Sequence, residues 1–575
     1  MAETSHVNGF HAGDPVAEVS TDYLIVGTGP AGASLACFLA QHGLTGLIVS
    51  QDPGNADTPR AHITNMAALD CLRDIGVDKD CYKIGTQGNT MGDYELASPS
   101  EPLDLPQTLL EPLLIRHATL NGFKCRWDTK FISFKQDPSD EGVTTTLYDK
   151  VTGQTYRVRS KHLFACDGAR SPIMQQLDVP MIKRPGQGFA INILIEADMT
   201  HLMKSRMGNL HWVLTPDKEH PDYAWIGCLR MVKPWHEWLC IIFPSPEAER
   251  KARHESEYIK RVREFIGDDS VEVKIKGIST WMINETAAGE YSRGNVYGLG
   301  DAVHRHPPNH GLGSNTCIQD AHNLAWKVAY VDKGLAGKEL LGTYNAERQP
   351  VGLDVVTQAN ASLRNHKRIW EILGNLEPTV AARIAKFDLL KEDSDRGQKS
   401  RQELAEALRL INREEHGLGI EMNQRYTSSA VLKSDQGAMP TFTTDSLEHY
   451  HPTTYPGARL PHVWLTRTIP DQKHISTIDL AGKGQFALFT GIGGQGWRDA
   501  AQQASAEFGV PIAVYSIGFR QEWEDQYLDW AKVRDVAESG CVLVRPDYFV
   551  AWRSQRWEGD STERLRAVVR TVLSR

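Results

Sequence analysis

The chain has 575 residues, 41% of them hydrophobic and 23% charged, with a net charge of −9. That length exceeds what one hydrophobic core usually supports, so two or three domains are expected. The negative balance, the absence of a long basic run and the absence of any apolar run of about 18 residues argue against nucleic acid and membrane as partners.

Residues 1–20 are polar and lack the apolar centre of a secretory signal, so they are expected to form a disordered leader. Residues 23–26 are continuously apolar and predict a buried strand, followed by a helix over 31–42 and a second strand over 46–49. Such a βαβ unit implies a parallel sheet. Apolar spacing predicts a helix over 109–120, and alternation predicts a hairpin over 143–148 and 155–158. Between 188 and 283 the texture changes to β-branched and aromatic runs at 189–195, 210–214, 223–227 and 238–243, which predict an antiparallel sheet with a polar helix over 247–266. Dinucleotide-type signals return over 295–331, mixed-charge helical sequence follows to about 425, and a proline-bearing connector leads to a separate small α/β unit.

The expected organisation is α/β with an α+β middle part. It comprises a leader (1–20), a Rossmann-like domain (21–186 and 285–355), a sheet domain (187–284), a helical region and connector (356–454) and a C-terminal domain (455–575). Nine cysteines are scattered without a Cys-x-x-Cys pair, which suits a reducing compartment and a cytoplasmic location.

Three segments carry chemistry. Gly27-Thr-Gly29-Pro-Ala-Gly32 joins a buried strand to a helix. Gly27 suits the tight turn, Gly29 the approach of a pyrophosphate and Gly32 helix–strand packing, with the helix N-terminus offering free N–H groups. The ribose carboxylate common at the end of the second strand is missing: Ser50 or Gln51 stands there, or Asp52 takes its place. The second segment runs from an apolar strand into Asp167-Gly168 and a helix at Ser171-Pro172. The third runs Gly298-Leu-Gly300-Asp301-Ala-Val-His304-Arg-His306-Pro307-Pro308-Asn-His310-Gly311-Leu-Gly313-Ser314-Asn315. Asp301 suits a polyol, and the helix after Gly313 points its positive end at whatever lies above it. Histidines 304, 306 and 310 could be read as metal ligands, but Pro307 and Pro308 interrupt any helix and no second carboxylate or cysteine cluster accompanies them, so no metal is expected.

In this order the three segments resemble the single-component FAD-dependent aromatic hydroxylases, the para-hydroxybenzoate hydroxylase superfamily. The strings Thr58-Pro-Arg60-Ala-His62-Ile-Thr-Asn-Met66 and His306–Thr316 are similar to its phenol and chlorophenol hydroxylase branch. The C-terminal domain, containing Cys541-Val-Leu-Val-Arg-Pro-Asp547, resembles that branch's thioredoxin-like appendage without its redox pair. The resemblance implies FAD held by Gly27, Gly29, Gly32, Arg60, Gln107, Asp167, Asp301, Pro307, Gly311, Gly313, Ser314 and Asn315, with Ser50 or Gln51 toward the ribose. It further implies NADPH or NADH as co-substrate, O2, a C4a-hydroperoxyflavin, a phenolic or aromatic substrate and a homodimer. The middle sheet offers His211, Tyr223, Trp225, Arg230, His236, Trp281 and Asn284. Of these, His211 and Tyr223 are read as the phenol-activating residues and Trp225, Trp281 and Asn284 as substrate contacts. Rival readings are an epoxidase or Baeyer–Villiger oxygenase on the same scaffold, a non-oxygenating flavin dehydrogenase, and a FAD-bound protein without catalysis.

Overall fold

The computed structural model describes residues 18–87, 92–139, 142–205, 207–433, 435–467, 469 and 473–575. Its central sheet runs in the order Ser292–Arg293, Val296–Gly298, His162–Ala165, Tyr23–Val26, Gly46–Val49 and Lys124–Arg126. All pairs are parallel except the outermost hairpin between Ser292–Arg293 and Val296–Gly298. Every residue of Tyr23–Val26, Gly46–Val49 and His162–Ala165 is buried, the mark of a parallel sheet covered on both faces. Helix Pro30–Gln41 packs against Gln107–Leu120 and against Gly313–Asp332. The turns after Val26 and Ala165 therefore open at the carboxyl ends of adjacent strands, the place where such sheets hold ligands.

The middle sheet is antiparallel, in the order Leu210–Val213, Ile226–Lys233, Glu237–Phe243, Phe189–Glu196 and Lys274–Met282. Its strand pairings define two faces. One carries Leu229, Cys240 and Ile193 and packs on Tyr258, Val262 and Phe265 of helix Glu255–Ile266. The other carries Trp212, Cys228, Ile241, Asn192 and Ser279, with Leu210, Arg230, Leu239, Leu194 and Gly277 in the next cross-strand row.

Three expectations shift. Residues 1–17 of the leader lie outside the described residues, whereas Glu18–Ser20 pair in parallel with Arg157–Arg159. Helix Glu339–Ile372 runs unbroken through the boundary placed at 355. The strand placed over 223–227 begins only at Ile226 and extends to Lys233, leaving Tyr223 in the turn before it.

The C-terminal sheet is mixed, ordered Ile512–Ser516, Phe486–Thr490, Cys541–Val544 and Val550–Ser554. The domain docks through buried charge. Arg545 bonds Glu347 at 2.5 and 2.8 Å and Asp547 at 2.5 and 3.0 Å, and Lys327 bonds Glu347 at 2.7 Å. Two cations and two carboxylates, all fully buried, neutralise one another there.

Candidate active site

The floor is built from glycine positions. Gly27 has φ +113°, and a Cβ there would sit 2.0 Å from the Cys166 carbonyl oxygen; at Gly32 it would sit 2.1 Å from the Gly27 oxygen. Both are glycine because the backbone leaves no room. Gly29 is different: the nearest atom to its imagined Cβ is Glu111 Oε1 at 3.8 Å. It opens on free space at a helix start that no side chain caps, as a pyrophosphate requires. Gly300 (φ +62°) is needed for packing, since a Cβ would press on Cys317 Sγ at 2.7 Å, rather than for a ligand's approach.

Around this floor the expected residues gather. Gln107 donates to Glu111 Oε1 at 2.6 Å, and Glu111 Oε2 accepts from the Ala56 amide at 2.7 Å. Burial pushes the Glu111 carboxyl up, and exposed Arg60 pulls it back. Glu111 lies one helical turn beyond Gln107, a spacing that could have flagged it. Ser50 is buried and accepts from the Asp52 amide at 3.2 Å, while Gln51 is exposed and its carbonyl accepts from Lys150 at 2.6 Å. Asp167 keeps one carboxylate oxygen, Oδ1, buried without a partner, and burial raises its pKa to about 6. Arg305 feels both Asp167 and the exposed Asp301. These features fit a bound FAD: an open glycine turn for the phosphates, an orphaned buried acceptor and an exposed carboxylate for hydroxyl groups.

Asp320 steadies the loop that follows. It accepts from the Gly300 amide, His304 Nε2 and Arg348 Nε at 3.2, 3.0 and 2.7 Å. Pro307 and Ser314 are buried, and Gly311 takes φ +62° beside Ile63. Gly313 has ordinary clearance, a Cβ there lying 3.7 Å from the His306 ring. The Asn315 side chain donates to the carbonyls of Ile63 (3.0 Å) and Gly311 (2.6 Å) and accepts from the Asn65 amide (2.9 Å). The segment around His62 is thereby stitched onto the glycine turn.

Between floor and roof stands a cluster that the motif reading passed over. Arg230 donates to Asp104 at 2.5 Å and to the Asn209 carbonyl at 2.9 Å, and Asn209 donates to Asp104 at 3.1 Å. His62 is 8% exposed, and neither ring nitrogen completes a well-formed hydrogen bond, although the Pro59 carbonyl lies on one side. Burial and the Arg230 charge lower its pKa to about 3. Helix Asp395–Glu415, part of the mixed-charge helical stretch expected from the sequence, closes the third side. Its Glu414 accepts from Asn309 at 3.0 Å and from His366 at 2.9 Å, and the His366 ring lies 4.5 Å from that of Trp212.

The residues read as phenol-activating are not brought to this cluster. His211 pairs with Leu229 and so belongs to the roof's helix-facing side, its ring 6.0 Å from that of Trp238 and its Nε2 2.9 Å from the Gly208 carbonyl. Tyr223 packs edge-on to Tyr258 and donates to the Glu257 carbonyl at 3.1 Å. Strand alternation turns the first away, and the later strand start takes the second out of the sheet. Trp281 is on the floor-facing side and donates to Asn192 at 3.0 Å. Trp225 packs against the cluster of Ile226, Ile283, Leu363 and Trp370. Asn284 donates to the Met282 carbonyl at 2.9 Å, apart from the cluster.

Parallel sheet, open glycine turn and Gly-Asp loop define a flavin-dependent oxidoreductase. The FAD binding domain family matches residues 20–359, and the aromatic-ring hydroxylase C-terminal family matches 453–575. The chain is 40% identical to a 2,4-dichlorophenol 6-monooxygenase of Delftia acidovorans, over 97% of this chain and 98% of that protein. It is 38% identical to a phenol 2-monooxygenase of Pseudomonas sp. (strain EST1001), over 94% and 91%. Among solved structures, the flavin-dependent monooxygenase PieE, in complex with FAD and substrate, superposes with TM-score 0.91 at 36% identity, covering 97% of this chain and 99% of that one. The chain belongs to the FAD-dependent aromatic-ring hydroxylases and is a monooxygenase of that family. No helix among the described residues is long and apolar enough to cross a membrane.

Proposed function

We propose that this monooxygenase hydroxylates a neutral phenol: the arene, O2 and NADH or NADPH plus a proton become the hydroxylated arene, water and the oxidised nucleotide. FAD, held by the floor residues named above, supplies the electron relay between nucleotide and oxygen. The observation that carries the phenol assignment is His62, a neutral imidazole with no well-formed bond, buried beside a guanidinium and tied through Ile63 to the glycine turn.

A phenol hydroxyl set against His62 can donate a hydrogen bond to a neutral ring nitrogen, which keeps its proton on the oxygen while orienting the ring, and Arg230 stabilises negative charge that develops on that oxygen. Asp104 and the Asn209 carbonyl hold Arg230 in place. Leu194, Leu239 and Ile241 present apolar surface on the same side of the roof, which keeps water from the reacting ring. The nine free cysteines suit work in the cytoplasm, and a homodimer is expected from family resemblance.

Phenols presented to the FAD-loaded enzyme should accelerate NAD(P)H oxidation and acquire one atom from labelled O2. His62→Ala should lower hydroxylation by about tenfold, the scale of one hydrogen bond to the reacting hydroxyl, while FAD remains bound. Unlabelled product, or undiminished hydroxylation by the variant, would remove the reading.

A further inference from the structure

The loop that leads into helix Gly313–Asp332 has a backbone that needs holding. Two successive residues, His310 (φ +65°) and Gly311 (φ +62°), take the left-handed conformation. Glycine adopts it freely, whereas a histidine is strained there and persists only where its surroundings pin it. On the far side of the pair, the Asn315 side chain donates to the Gly311 carbonyl at 2.6 Å. On the near side the clasp comes from 105 positions further along the chain. Asn309, 6% exposed, donates through Nδ2 to both carboxylate oxygens of Glu414 at 3.0 Å.

Glu414 stands in the last turn of helix Asp395–Glu415, the negative pole, where an unpaired carboxylate is disfavoured. It is well paired. Besides Asn309 it accepts from Ser362 Oγ and, at 2.9 Å, from His366 Nε2, two residues one turn apart on helix Glu339–Ile372. Burial works to raise its pKa, but His366, Ser362 and Asn309 outweigh it and hold the carboxyl below the usual range. The buried His366 ring is itself wedged against Trp212 and Trp370, with centroids 4.5 and 6.0 Å away. The carboxylate is thus fixed from the roof side, and the loop hangs on it from the other. Just past the helix end the contact continues, since a Cβ on Gly417 would meet His310 Nδ1 at 3.4 Å.

The loop carries the start of helix Gly313–Asp332, whose first amides no side chain caps. Free donors of this kind, facing a bound flavin, favour its reduced and more negative form, and their effect falls off within one helical turn. Its strength therefore depends on where the loop is held. We propose that Glu414 is a positioning residue: by clasping Asn309 it sets the loop against the roof and thereby raises the reduction potential of the flavin. The role concerns the flavin whatever ring is hydroxylated, so its test needs no aromatic substrate.

The two-electron midpoint of the FAD-loaded, substrate-free enzyme is measured against a reference dye, together with the unfolding midpoint. In Glu414→Gln the new amide nitrogen meets the Asn309 donor and one contact is lost. Reduced flavin should become about tenfold less favoured, the scale of a hydrogen bond to a charged group, which lowers the midpoint by about 30 mV. Asn309→Ala should shift it in the same direction while Glu414 keeps Ser362 and His366, and it carries the test if Glu414→Gln does not fold. Combining Glu414→Gln with Asn309→Asp exchanges donor and acceptor at constant net charge. The new glutamine can then donate to the new aspartate while its oxygen still accepts from Ser362 and His366. This exchange should bring the equilibrium back to within about twofold of the unmodified enzyme. An unmoved potential in a folded single variant overturns the proposal, and with a lowered unfolding midpoint it would leave Glu414 a purely structural group. A shift that the exchange does not reverse overturns it as well, because Asn309 would then act on the flavin without Glu414.

Discussion

On the floor of the site the work is done by backbone. Gly27, Gly29 and Gly32 lie within six consecutive residues, and Asp301 through Asn315 within fifteen. On the roof and walls it is done by side chains from four distant stretches: His62, Asp104, Arg230 and Glu414. Backbone recognition needs glycines at fixed spacing, which a short segment provides whole. Side-chain recognition needs residues that meet only after folding, and each depends on which face of its element is turned inward. The floor is therefore rigid in sequence, whereas the walls can be exchanged one residue at a time.

Within the floor, the contrast between Gly32 and Gly29 gives the largest expected effect. Gly32→Ala would place a methyl 2.1 Å from a backbone oxygen and should yield no soluble folded enzyme, whereas Gly29→Ala has 3.8 Å of clearance. The Gly29 variant should keep the apoprotein's unfolding midpoint and bind FAD poorly. If both variants purify with flavin, the distinction between packing glycine and ligand glycine is lost.

Next in size is the junction on which the floor leans. Arg545→Met leaves Glu347 and Asp547 buried with only Lys327 as a cation, and removal of one partner from such a network costs about 3–5 kcal/mol. Denaturant unfolding measures it; a loss below about 1 kcal/mol would mean the C-terminal domain is held chiefly by its apolar contacts.

Asp301→Ala tests the floor without disturbing its packing. The side chain is exposed, so apoprotein stability should move by no more than about 0.5 kcal/mol. FAD affinity should fall about 10- to 100-fold if the carboxylate accepts a cofactor hydroxyl. Flavin titration of the apoenzyme decides.

The same division explains what could be read in advance. The βαβ unit, the Asp-Gly and Gly-Asp turns and the antiparallel middle sheet all follow from local pattern: continuous apolar runs, glycine at turns, β-branched alternation. His62 sits in a string whose likeness to a hydroxylase branch was visible, but its burial beside Arg230 depends on packing between residues 168 positions apart. Arg230 was among the polar residues noted in the middle sheet, without the register that turns it inward. The helix ending at Glu415 reads as ordinary mixed-charge sequence, and only its fold places that end against Asn309.

His62 also leaves a signature in stability. Its folded pKa lies near 3, below the unfolded value of 6.5. As pH falls below 6.5, the unfolded chain takes a proton there that the folded chain refuses, so stability is lost across the window from 6.5 to about 3. Compared with His62→Leu, the unmodified protein should lose about 2 kcal/mol more between pH 7 and pH 5. Parallel curves would mean that His62 is hydrated and titrates normally.

The smallest effects should come from the roof's far side, and there the comparison is sharpest. His211 and Arg230 are nineteen residues apart on adjacent strands of one sheet, yet pairing of His211 with Leu229 puts their side chains on opposite faces. His211→Ala and Tyr223→Phe should therefore leave kcat and KM within about twofold of the unmodified enzyme, while Tyr223→Phe loses a hydrogen bond worth about 1 kcal/mol of stability. Arg230→Met, by contrast, leaves buried Asp104 without its cation and removes the guanidinium that faces His62. Steady-state kinetics on the three variants with one phenol measures the difference between the faces. A hundredfold loss at His211 with an intact Arg230 variant would mean that substrate enters from the helix-facing side, and the position of His62 would then carry no catalytic meaning.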